Sequence, residues 1–180
     1  MKHLFLFFFS ALIVNTAISQ NDFVKYRDLQ DRFEISVPGD FKYTEKTIIT
    51  PIGNVTNESL SLETDKSHPN TLYILNVVTY PEAIYDFDSL ESMEESLLNA
   101  LNDVARVNHS PVIYKEISYD PHGLPTIIFR LMDKKKLQSI KGIIKLKPDQ
   151  MYAALVYSSV ERSLNELADI YLKSLKILPE

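Results

Sequence analysis

Apolar and polar residues alternate with a period of two over most of the chain, the spacing of half-buried strands. Residues 24–27 and 32–37 form two short runs of this kind. Pro38-Gly39-Asp40 breaks the second, and Pro followed by Gly suits the central positions of a type II turn. Residues 41–50 read as a third strand. Pro51-Ile52-Gly53-Asn54 then turns the chain into residues 55–64, expected as a polar, exposed strand. After a loop at residues 65–70, residues 71–79 are apolar on both sides. Leu72, Ile74 and Val78 point one way, and Tyr73, Leu75 and Val77 the other. Such a strand belongs near the centre of a sheet with cover on each face.

The period changes at residues 89–107. Leu90, Met93, Leu97, Leu101 and Val104 recur at three- and four-residue steps, which predicts an amphipathic helix. Asp88 with Glu91 has the form of a capping box at its start. Period two returns in residues 112–119, 124–133 and 137–147, separated by Asp120-Pro121-His122-Gly123 and Lys134-Lys135-Lys136. Residues 151–157 are again apolar on both faces. Ser158 and Glu161 propose a second capping box, opening a helix in which Val160, Leu164, Leu167, Ala168 and Tyr171 share a side. Residues 174–178 alternate and are expected to close the fold as an edge strand.

Strands joined by short turns are antiparallel neighbours. Two amphipathic helices must each bury a stripe, and two strands need cover on both faces. The expected fold is therefore α+β: a three-layer α/β/α sandwich, with a central antiparallel sheet and helices on both faces.

Arg32-Phe33-Glu34-Ile35-Ser36-Val37-Pro38-Gly39-Asp40-Phe41 resembles the opening "F-x-I-x-x-P-x-x-F/W" of the PsbP/Mog-type sandwich superfamily. Tyr171-Leu172-Lys173-Ser174-Leu175-Lys176-Ile177 is similar to its closing helix-to-strand segment. Phe41 stands where many members have Trp, and Leu175 where many have Phe. The resemblance spans nearly all of residues 20–180 and implies a bacterial exported member. It also implies a mostly non-enzymatic role, since members dock onto larger partners and share no catalytic set.

The opening residues are a separate matter. Lys2 is followed by an apolar run from Leu4 to Val14, and Ala17-Ile18-Ser19 sets small residues two apart. This reads as a secretory signal peptide over residues 1–19, cleaved before Gln20. The expected product is one domain over residues 20–180, exported to the periplasm or the outside. No cysteine occurs, so neither a lipid anchor at a processing cysteine nor a disulfide framework is available. The 19 Lys and Arg against 24 Asp and Glu exclude a protein that lives by phosphate contacts, so nucleic acid is not an expected partner.

Candidate chemistry is sparse. No Gly-x-Ser-x-Gly, H-E-x-x-H or Gly-rich phosphate loop occurs, and no cofactor, metal or catalytic residue is read. Asp120 and His122 are explained by turn chemistry before metal binding. Lys141, Lys145 and Lys147 point the same way on one strand and read as a solvated face. The loop 80–88 concentrates aromatics and acids, and Tyr80, Tyr85, Asp86 and Phe87 are the candidate partner-binding residues. The simpler alternative packs Tyr80 and Phe87 under the helix. The functional expectation is a non-enzymatic exported accessory or binding domain that docks onto another protein or complex of the cell envelope. The alternative is a hydrolase or small-ligand-binding enzyme with acidic residues in a cleft.

Overall fold

The computed structural model describes residues 23–120 and 123–179. The expected leader and cleavage site, together with His122, lie outside the described residues. The described residues form ten strands and two α-helices: β1 (Val24–Arg27), β2 (Phe33–Val37), β3 (Lys42–Thr50), β4 (Gly53–Glu63), β5 (Asn70–Thr79), α1 (Leu90–Val107), β6 (Val112–Tyr119), β7 (Pro125–Asp133), β8 (Gln138–Lys147), β9 (Gln150–Ser159), α2 (Glu166–Ser174) and β10 (Lys176–Ile177).

Seven strands form one antiparallel sheet in the order β3-β4-β5-β9-β8-β7-β6. The chain meanders through β3, β4 and β5, crosses to the far edge by way of α1, and walks back through β6, β7 and β8 until β9 closes against β5. The central strand β9 feeds two cores. Tyr152, Ala154 and Val156 enter one, with Tyr73, Leu75 and Val77 of β5. Ala153 and Leu155 enter the other, with Ile127, Phe129 and Leu131 of β7. The alternation of Cβ directions along a strand produces this split. Gly142 of β8 pairs with Phe129, whose ring crosses the place where a side chain would stand; a Cβ there would lie 2.3 Å from Phe129 Cζ.

A second, three-stranded antiparallel sheet, β1-β2-β10, packs on the first core. Phe33, Ile35 and Val37 are its buried positions on β2, and Ile177 adds one from β10. The nine-residue α2 lies beside it, burying Leu167, Ala168, Tyr171 and Leu172. Helix α1 covers the other face through Leu97, Ala100 and Leu101.

The three-layer α/β/α sandwich expected from the sequence is not what forms. The described chain is 50% strand and 19% helix, arranged as two antiparallel sheets rather than one sheet between helical layers. The reason is strand partnership. β1, β2 and β10 pair among themselves, and their small sheet joins α2 in the core on one flank.

Smaller expectations change as well. β4 is an interior strand with buried Val55, Glu58 and Leu60, not an exposed one. Ser89, not Asp88, caps α1, accepting from the Ser92 N–H at 3.0 Å. β9 runs on to Ser159, and after one turn of 3₁₀ helix Asn165 caps α2 by accepting from the Ala168 N–H. The lysine face of β8 is not solvated: Lys141 pairs with Asp169 of α2, and Lys145 with Asp120 at 3.2 Å, where both side chains are under a tenth exposed.

Candidate functional site

Helix α1 sits over β7 and β8, so the same face of β4 and β5 has no helical cover. The step between helix and bare sheet is a cleft of about 640 Å³. Its floor is apolar, from Ile74, Val78, Met151 and Leu155 of β5 and β9. Polar side chains, all neutral except Asp103, interrupt and border it. Asn57, Ser59 and Asn76 stand on the sheet face, and Ser96 and Asn99 on α1.

These five side chains make no hydrogen bond with another described residue, so their donors and acceptors are uncommitted. Asn57 is the sharpest case, because its Oδ1 is buried and has no partner. A buried acceptor left this way costs about 1–3 kcal/mol.

The rim comes from the loop between β5 and α1, pinned to the β8–β9 turn. Tyr80 N–H donates to Asp149 O at 2.9 Å, and the Ile84 and Tyr85 N–H groups donate to Pro148 O. Tyr85 lines the cleft and donates its hydroxyl to Tyr80 Oη at 3.2 Å, with the two rings edge to face. Burial, the Tyr80 hydrogen bond and the nearby charge of Asp103 push the Tyr85 phenol well above its ordinary range. At the helix C-terminus, Tyr157 donates to Asn108 Oδ1 at 2.7 Å, and burial also raises its phenol. Both phenols therefore stay protonated and cannot serve as bases near neutrality. Asp103, paired with Arg106 at 3.0 Å, is the one carboxylate in the described lining, which holds no Lys, Arg or His.

The four sequence candidates separate. Tyr85 lines the cleft, and Phe87 packs against the core beneath α1. Tyr80 supports Tyr85. Asp86 is exposed and accepts from the Asp88 N–H at 2.8 Å, shaping the approach to the helix. The cleft's amides went unread in the sequence, although Asn76 carries a signal: it interrupts the alternation Leu72, Ile74, Val78 on one side of β5.

Among the described residues no group of His, Cys, Asp or Glu is arranged to hold a metal ion, and no helix is long and apolar enough to cross a membrane. No family model matches the chain, and no curated protein does. Among solved structures, the solution structure of cyanobacterial PsbP (CyanoP) from Synechocystis sp. PCC 6803 aligns with a TM-score of 0.49 at 9% sequence identity, over 90% of this chain and 96% of that one. The likeness fixes neither family nor partner for this chain.

Proposed function

We propose that this protein is an exported, non-enzymatic binding domain whose working site is the cleft between α1 and the β4–β5 face, with a partner in the cell envelope. The uncommitted neutral side chains over an apolar floor carry this reading. Acid–base hydrolysis needs converging titratable groups tuned toward the operating pH, whereas here one carboxylate stands among amides, hydroxyls and protonated phenols. Mixed donors and acceptors above an apolar surface instead suit recognition. The rim adds contact area. Ile84 is exposed at the mouth, and the β3–β4 turn brings Gly53 alongside Pro81.

Photo-crosslinking in the envelope of the source cells tests the reading. A photoreactive residue at Ile84 is expected to give an adduct that disappears when Asn99, exposed on α1, is changed to Trp and fills the cleft. The same residue at Leu164, beside α2, is expected to give none. Absence of the Ile84 adduct, or its persistence in Asn99→Trp, would remove the proposal.

A further inference from the structure

We infer that the cleft takes a short, uncharged saccharide, an assignment that rests on the binding reading above. Charge narrows the ligand first. The described lining carries no cation to meet a phosphate, sulfate or carboxylate. Phospholipid headgroups, nucleotides and acidic sugars are disfavoured on that ground.

Hydrogen bonding narrows it next. Each carboxamide offers a paired donor and acceptor, and each hydroxyl offers both. Five such groups with no partner among the described residues, divided between the sheet face and α1, match a ligand carrying hydroxyls around its whole perimeter.

The floor supplies the third constraint. Val78, Met151 and Leu155 present carbon to the ligand, as the C–H face of a pyranose requires. A peptide fits less well. Extended peptides bind by adding to a free sheet edge, but the floor here is the face of interior strands, whose backbone groups are already paired in the β4·β5 and β5·β9 ladders. A peptide lying there would leave its own N–H and C=O groups to a few side chains. The volume, about 640 Å³, lies within the roughly 300–1,000 Å³ usual for small-ligand sites.

Side-chain amide NMR signals of the purified protein provide the readout. Maltotriose, cellotriose and tri-N-acetylchitotriose are titrated separately, alongside a trigalacturonate and an extended tri-alanine peptide. At least one uncharged trisaccharide is expected to shift the NH₂ signals of Asn57, Asn76 and Asn99 saturably, and the trigalacturonate to leave them in place. Asn99→Leu and Asn76→Leu are each expected to weaken that binding tenfold or more, with the backbone amide spectrum showing the sheet intact. Asn99 is exposed on the helix, so its variant keeps the test open should Asn76→Leu misfold. Three results would overturn the assignment: no shift with any uncharged sugar, binding untouched by Asn99→Leu, or shifts produced by the peptide or the acidic sugar alone. If sugars fail while the Ile84 adduct persists, the saccharide class falls and the binding domain stands; loss of both removes the site.

Discussion

Tyr171 carries its hydroxyl into the core between the two sheets, fully buried and with no hydrogen-bond partner. Its ring meets Tyr73 edge to face at 5.0 Å, a favourable contact that does not need the oxygen. Tyr73, by contrast, accepts from Asn70 Nδ2 at 2.7 Å, and Asn70 is held in turn by Asn165, the cap of α2. Burial pushes the Tyr73 phenol up to about 12 and Tyr171 well above its ordinary value, so both remain neutral. The desolvated hydroxyl of Tyr171 is therefore a net cost. Tyr171→Phe is expected to raise stability by about 1 kcal/mol, read as a higher urea midpoint with unchanged slope. A lower midpoint would mean that the oxygen has a function in the packed core. Tyr73→Phe should do the opposite, because it strips Asn70 of a partner.

At the scale of elements, β8 shows how tightly neighbouring strands are fitted. Gly142 leaves room for Phe129 from β7 and Leu155 from β9, and a methyl group would meet both inside contact distance. Gly142→Ala is expected to destabilise the protein by about 1–3 kcal/mol through overpacking, whereas at an ordinary strand position Ala for Gly would be neutral or helpful. Calorimetric melting of the two forms decides it, and an unchanged midpoint would show that Phe129 swings aside freely. Strand positions of this kind were largely legible in the sequence, because two faces impose a period of two. Helix starts were not. Asp88 and Ser89 both stand three residues before a suitable partner, Glu91 and Ser92, and the spacing does not choose between them. Ser158 with Glu161 mimics a capping box, but Ser158 and Ser159 pair with Ser139 and Gln138, so the β8 ladder holds that segment as strand. The cost of giving up ladder bonds outweighs a cap worth about 1 kcal/mol.

Across the whole molecule, what escaped the sequence was the partnership between layers. Alternation in β2 reports that Phe33, Ile35 and Val37 face a core but not which sheet the strand joins, and the same blindness hid the cleft, which exists only because α1 covers part of a face. The joint between sheets depends on a residue to which the sequence pattern assigns no role. Arg32, just before β2, donates to Glu58 of β4 through Nη1 at 2.5 Å and Nη2 at 2.7 Å, and to Asp28 through Nε at 2.7 Å. All three side chains are mostly buried. Burial by itself would raise the Asp28 carboxyl, but hydrogen bonds from the Arg32 side chain and backbone, with its charge, hold it below the ordinary carboxylate value. A folded-state value below the unfolded one contributes stability that is present above the unfolded value, about 4, and is lost as pH falls through the folded one. Other carboxylates held low, such as Asp65 and Asp133, steepen the acid response of the whole protein, so the slope alone does not isolate Asp28. The difference between wild type and Asp28→Asn does. At pH 7 the variant should be less stable by about 1.5–3 kcal/mol, the range for hydrogen bonds to a charged group. The gap should hold down to about pH 5 and narrow below about pH 4, as the wild-type carboxyl loses its own charge. Urea midpoints of both forms across that range measure it. A gap that persists unchanged at about pH 3 would show that the joint holds through shape and not through charge.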